Sequence, residues 1–349
     1  MQHRTLGQTD LKVSLICLGT MTYGEQNTQA EGYEQMDYAL DHGVNFFDTA
    51  ELYAIPPKAQ TYGATETIIG AWFKAKANRD KVILATKVAG RSVMNWMRAD
   101  GSPARLNRKQ MVEALENSLR RLQTDYIDLY QVHWPDRNMP WGSNPTIYDH
   151  SDYTGAEIAI AETLEVLHDF VKSGKVRHIG LSNESAWGTM CYLQLAAKNQ
   201  WPRVASIQNV YSLVSRTFEV ALAEIAMREN VGLLAYSPLA QGYLTGKYRH
   251  NALPQGSRKA LFNRLQRYET PSAHSAIEAY LELAQEVGLD PAHMALAFIN
   301  QQPFVTSNII GATTMAQLKT NIASHAITLH DDVVARINAI HQLFSNPCP

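Results

Sequence analysis

The chain has 349 residues, 45% of them apolar and 18% charged, and a formal net charge of −2 at pH 7. That size suffices to bury a large core, while the near-neutral charge and the lack of any long Lys/Arg run argue against a nucleic-acid footprint. No stretch approaches the ~20 apolar residues that span a bilayer, and three scattered cysteines, Cys17, Cys191 and Cys348, offer neither a disulfide framework nor a zinc knuckle.

The opening MQHRTLGQTD has no apolar core of signal-peptide length. The expectation is therefore a cytoplasmic globular protein. His3 to Leu18 surrounds Gly7-Gln8-Thr9-Asp10, a turn-rich stretch that predicts a small hairpin. Strand-like LICLG then runs into Gly19-Thr20-Met21. A rhythm of short apolar run, polar loop and helical-period segment follows. Glu31 to His42 predicts a helix with Gly43 as a left-handed stop. Val44 to Phe47 then leads to a helix near Thr65 to Lys76, and VILATK to one over Arg108 to Leu122. YIDLYQVH precedes a helix over Glu157 to Ser173, ended by Gly174. VRHIGLS pairs with Ala186 to Lys198, and ASIQNVYS with Thr217 to Glu229. GLLAYS opens a long irregular excursion, and a last strand near Thr306 to Ile310 leads into Met315 to Ala323. Two helices lie outside the rhythm, one from the Asp290-Pro291 cap to Asn300 and one over Asp331 to Phe344.

Such alternation implies parallel strands with crossover helices. About eight repeats in ~250 residues fit a closed (β/α)8 TIM barrel better than an open doubly wound sheet. The predicted fold class is thus α/β, a barrel with an N-terminal β-hairpin, long mouth loops and extra C-terminal helices. With no Gly/Ser- or Pro-rich linker, residues 1–349 are expected to form one domain. Four long insertions, 54–63, 90–107, 134–155 and 239–275, all follow strands and so belong to the mouth.

Four polar groups end or follow successive buried runs. Asp48 closes NFFD, Tyr53 comes five residues later, Lys87 closes VILATK and His133 closes YIDLYQVH. Strand parity puts Asp48 on the side of Phe46, Lys87 with Ala85 and Ile83, and His133 with Gln131 and Leu129, so all can face inward. Alone, each would be an ordinary cap, solvated lysine, core imidazole or packing phenol. Together they suggest Lys87 paired with Asp48 and an ammonium drawing Tyr53 below its usual pKa of ~10. Such a Tyr could protonate a developing alkoxide, with His133 orienting the carbonyl. Tyr23, Trp96, Trp134 and Trp141 are candidate substrate walls. No strand is followed by GxGxxG, which removes support for a Rossmann site. No His-x-His or carboxylate cluster marks a metal centre, so no metal is predicted.

With these residues in place, the sequence resembles the aldo-keto reductases over nearly its whole length. GVNFFDTAELY resembles the family signature, Lys87 in TK and His133 in VHWP complete its tetrad, and LQTDYIDLYQVHWPD, GKVRHIGLSN, IQNVYS and LLAYSPLAQGYLTGKY are typical of one branch. That branch holds Tas-like bacterial proteins and the potassium-channel β subunits. The resemblance implies NADPH-dependent reduction of a small aldehyde or ketone. It places the nicotinamide carboxamide on Ser182, Asn183 and Gln208, the ring on Tyr236, and the ribose by Gly19, Thr20, Met21 and Asp48. The pyrophosphate would lie along Ser237, Leu239 and Gln241 with Lys247, Arg258 would approach the adenosine end, and Gly311, Thr313, Gln317 and Asn321 would clamp the adenosine phosphate. A helix N-terminus after Gly-Ala-Thr-Thr suits a phosphate. Thr313 and Gln317 stand where other branches have a basic pair, Thr320 replaces an acid, and the 54–63 insertion departs from most relatives. A second reading is a regulatory module that holds NADP(H) and turns over little. His133 weighs against it, because the channel subunits carry an amide there. The oligomeric partner, if any, is left open.

Overall fold

A computed structural model describes residues 1–140, 147–148, 155–262 and 266–349. The predicted hairpin forms from β1 (His3–Thr5) and β2 (Lys12–Ser14), paired antiparallel with His3 opposite Ser14. Gly7 turns this hairpin at φ +53° where a Cβ would sit 2.4 Å from the Ala205 carbonyl oxygen. A side chain there would push the hairpin off the barrel.

The repeats follow as β3 (Ile16–Gly19), α1 (Gln29–Asp41), β4 (Phe46–Asp48), α2 (Ala64–Lys76), β5 (Ile83–Val88), α3 (Arg108–Leu122), β6 (Ile127–Val132) and α4 (Ile160–Lys172). Next come β7 (Val176–Ser182), α5 (Ala186–Asn199), β8 (Val204–Val210), α6 (Leu222–Glu229) and β9 (Gly232–Tyr236). After them stand the short α7 (Arg258–Phe262), then α8 (Pro271–Glu286), α9 (Pro291–Asn300), β10 (Val305–Ile310), α10 (Met315–Ala323) and α11 (Asp331–Leu343). Strands β3 to β10 close in chain order into an all-parallel barrel, β10 returning to pair with β3. This is the predicted (β/α)8 barrel with its N-terminal hairpin.

Local chemistry explains most boundaries. The α1 helix starts two residues before the expected Glu31, because Thr28 accepts from the Glu31 N–H while the Glu31 carboxylate accepts from Thr28. That reciprocal box is worth about 1 kcal/mol. Gly43 ends the turn after α1 at φ +78°. Two expectations fail. Thr217 to Glu229 is not one helix: a 3-10 turn at Thr217–Glu219 is cut from α6 by Ala221 at φ +71°. The excursion expected through Ser275 already contains the start of α8, whose Thr270 cap and N-terminal Pro271 were legible signals.

Among the described residues, two apolar clusters lie on the two faces of the barrel strands and a third, smaller one gathers Leu52, Tyr53, Met97 and Trp134. Inside the barrel, Cys17, Phe46, Ala85, Leu129, Ala205, Leu234 and Ile309 pack with the hairpin residues Leu6, Leu11 and Val13. These include the inward-facing rows expected from parity. Arg4 reinforces the plug, its guanidinium donating to the carbonyls of Val305 and Asn300. The opposite strand faces pack against the helices, with Trp72, Tyr130, Phe170 and Phe298 among the large buried side chains. Since the hairpin closes the N-terminal end, only the C-terminal end is free for long loops. The insertions after β4, β5, β6 and β9 all emerge there.

Candidate active site

Parallel register brings the polar strand ends together. Asp48 aligns with Ala85, Lys87 with Gln131, and Ser182 with Gln208. The Lys87 ammonium is fully buried and donates to the Asp48 carboxylate at 2.5 Å, the Thr49 carbonyl at 2.8 Å and the Tyr53 hydroxyl at 3.3 Å. Those are its three protons, each with an acceptor. The other Asp48 oxygen accepts from the amides of Gln208 at 2.8 Å and Gln131 at 3.2 Å. Gln131 was not among the expected site residues, although a glutamine two residues before His133 on the same strand face was a visible signal.

Burial alone would lower the Lys87 pKa, but Asp48 and then Tyr53 outweigh it and hold the ammonium above its ordinary value. The phenol departs from expectation. Burial raises the Tyr53 pKa above 10, and Lys87 lowers it only part of the way back while Asp48 opposes it. The ammonium is already matched by a carboxylate, so little net positive field remains to stabilise phenolate. The His133 ring lies edge-on to Tyr53, centroids 5.7 Å apart. Burial and then Lys87 push its pKa well below 6.5, so the imidazole is neutral at neutral pH. Its Nδ1 is buried without a partner among the described residues.

The residues expected around a nicotinamide occupy neighbouring strand ends. Ser182 ends β7, Gln208 lies on β8 and Tyr236 ends β9. Asn183, at φ +51°, donates to the His133 carbonyl at 2.9 Å and accepts from the Tyr236 hydroxyl at 2.7 Å. The N–H groups of Asn183 and Gln208 are given to His133, Ser182, Asp48 and Gln131, which leaves the Ser182 hydroxyl, the side-chain carbonyls of Asn183 and Gln208 and the Tyr236 ring as the groups that fit an amide-bearing ring. Thr20 is buried and gives its hydroxyl to the Asp48 carbonyl at 2.8 Å, holding Gly19-Thr20-Met21 beside Asp48. Beyond β9, Ser237 and Gln241 adopt positive φ, Leu239 precedes a 3-10 turn, and Lys247 lies over the Tyr248 ring. Gln317 accepts from the Thr313 N–H and hydroxyl at 2.9 and 3.2 Å, while Asn321 donates to the Gly311 carbonyl at 3.1 Å. Asn27, which sequence reasoning passed over, donates to the Thr313 carbonyl at 2.9 Å. Arg258, expected towards the adenosine end, opens the short α7, and its charge lowers the pKa of Tyr53 slightly.

The candidate substrate walls separate. Tyr23 is wholly buried, its hydroxyl donating to Gln35 of α1 at 3.1 Å, so it is core packing and not a wall. Trp134 is buried with its ring 4.8 Å from His133 and its indole N–H on the Arg91 carbonyl. Trp96, half-buried, meets Tyr62 edge-on. Trp141 lies outside the described residues. Sequence reasoning also missed a fully buried ion pair beside the tetrad, Glu51 with Arg98, joined at 2.9 Å on both oxygens. Among the described residues no group of three or more His, Cys, Asp or Glu could hold a metal ion, and no helix is long and apolar enough to cross a membrane.

Comparison with known proteins agrees with this geometry. The family model described as "Aldo/keto reductase family" matches residues 15–342. "Protein tas" of Escherichia coli (strain K12) is 48% identical over the whole of both chains. The "Uncharacterized oxidoreductase YrpG" of Bacillus subtilis (strain 168) is 34% identical, over 97% of this chain and 96% of its own. A "Probable voltage-gated potassium channel subunit beta" of Arabidopsis thaliana is 31% identical, over 92% and 90%. A closed parallel barrel, an ammonium–carboxylate–phenol cluster at its mouth and a match across the chain lead to one assignment: the protein belongs to the aldo/keto reductase family of oxidoreductases, in the branch that includes Tas and the channel β-like proteins.

Proposed function

We propose that the protein reduces aldehydes or ketones to alcohols with NADPH, and that Tyr53 is the proton donor. One observation carries this reading: a fully buried ammonium, Lys87, bonded at once to a carboxylate and to a phenol at a barrel mouth. When bound, the dinucleotide supplies the hydride. Ser182, Asn183 and Gln208 would hold its carboxamide, Tyr236 would pack on its ring, and Gly311, Thr313, Gln317 and Asn321 would take its adenosine phosphate. We assign the neutral His133 to orienting the carbonyl oxygen by a hydrogen bond. Tyr53, protonated throughout the neutral range, then gives its proton to that oxygen as negative charge builds on it. Lys87 compensates the phenolate left behind, and Asp48 keeps Lys87 in place. A cytoplasmic setting fits the free cysteines and the cofactor.

The second reading, a nicotinamide-holding regulatory module, has no geometric feature of its own here. Both readings meet one experiment. Tyr53→Phe should bind NADPH with unchanged affinity, read by protein fluorescence, and lose about 10²- to 10⁴-fold in multiple-turnover aldehyde reduction. Undiminished turnover would remove Tyr53 as the acid. A wild-type protein that binds NADPH and reduces no member of a broad aldehyde and ketone panel would favour the module.

A further inference from the structure

We infer that Arg98 is a positioning residue, which sets the Tyr53 phenol against Lys87 by clamping Glu51. The inference rests on the proposed role of Tyr53. Between Asp48 and Tyr53 the chain leaves regular structure, and two backbone bonds lean it on β5: Thr49 N–H to the Ala85 carbonyl at 2.9 Å and Glu51 N–H to the Lys87 carbonyl at 3.2 Å. The Glu51 side chain adds the decisive tie. One of its oxygens accepts from the Ala89 N–H at 2.8 Å and from Arg98 at 2.9 Å, the other from Arg98 at 2.9 Å and the Tyr62 hydroxyl at 2.8 Å. Ala89 lies two residues beyond Lys87, so this carboxylate joins the Tyr53-bearing stretch to the strand that carries the ammonium.

Arg98 comes from the loop between β5 and α3 and is itself anchored, donating to the Gln110 side chain at 3.3 Å and the Met97 carbonyl at 3.2 Å. Met97 packs in one apolar cluster with Leu52, Tyr53 and Trp134. A carboxylate this deeply buried stays only while its counter-charge does. Without the guanidinium fork, Glu51 would turn towards water and draw residues 50–53 from β5. The bonds of Arg98 go to Glu51, Gln110 and the Met97 carbonyl, so it reaches Tyr53 through the placement of Glu51.

Arg98→Lys keeps the charge and loses the bidentate fork. The expected result is a kcat about 10- to 100-fold lower per NADPH-binding site, from misplacement of the acid. The KM and the NADPH dissociation constant should stay within about twofold, and the alkaline limb of the reduction profile should not move. A merely structural role would lower the folded fraction and leave kcat per binding site unchanged, and that result overturns the inference. Should Arg98→Lys fail to fold, Tyr62→Phe, which removes one donor to Glu51 and leaves the ion pair, decides instead. It should lower per-site kcat about 3- to 10-fold, and a wild-type value overturns the inference. Tyr53→Phe runs alongside: if it stays active the acid assignment falls, whereas an inactive Tyr53→Phe beside a fully active Arg98→Lys refutes the positioning role alone.

Discussion

The burial of His133 makes a quantitative demand on acid stability. In the unfolded chain its imidazole takes a proton near the ordinary value of about 6.5, but in the fold burial and the nearby Lys87 ammonium keep it neutral well below that. The unfolded state therefore binds the extra proton first, so the folded state is fully favoured above pH ~6.5 and loses ground as pH falls. A group that stays neutral in the fold while the unfolded chain is protonated costs at most about 1 kcal/mol of stability per pH unit below 6.5. That pH-dependent loss is what His133→Gln should remove. Urea unfolding of both proteins at pH 6 and pH 5 measures it: the wild type should lose more than the variant over that unit, by up to about 1 kcal/mol. Equal losses would mean that His133 is protonated in the fold, and an imidazolium beside Lys87 would refute the neutral orienting role given to it.

Two further outcomes test the rest of the cluster. Lys87→Met strands the Asp48 carboxylate in a site where both side chains are essentially buried, so it should cost about 3–5 kcal/mol and most of the turnover. Asp48→Asn/Lys87→Met should recover much of the stability and none of the activity, by urea unfolding and an NADPH absorbance assay. The raised Tyr53 pKa predicts reduction rates that hold level from about pH 6 to about pH 9. Alcohol oxidation, which needs the deprotonated phenol, should climb about tenfold per pH unit over the alkaline part of that span. A reduction limb that falls near neutrality would mean that the phenol is not held above 10.

Where sequence reasoning succeeded, the signal was local or periodic. Arg108–Leu122 and Met315–Ala323 begin and end where their caps and apolar spacing say, Asn107 accepting from the Gln110 N–H and Thr314 from the Gln317 N–H. The period-2 pattern put Phe46, Ala85 and Leu129 on one face, and that face is the barrel interior. Asp48 and Lys87 were legible for the same reason: a charge ending a buried run must find a partner, and neighbouring parallel strands supply one. Thr270-Pro271 was as readable a helix start as Asp290-Pro291, and was missed only inside a stretch already taken as irregular.

Other features had no local signature. Ala221 breaks its helix at φ +71° although nothing in its residue type asks for that conformation. Tyr23 looked like a mouth aromatic, two residues after Met21 in a loop, yet the packing of α1 against it encloses the ring. Arg98 and Glu51 stand 47 residues apart, and either alone reads as a solvated surface charge. The residue order determined the strands, the helices and which side chains face inward, because those depend on neighbours a few positions away. Only tertiary closure decided that β10 meets β3, that Glu51 finds Arg98, and that the phenol ends up harder to ionise. Burial and distance through space are properties of the assembled barrel, and no stretch of the chain contains them.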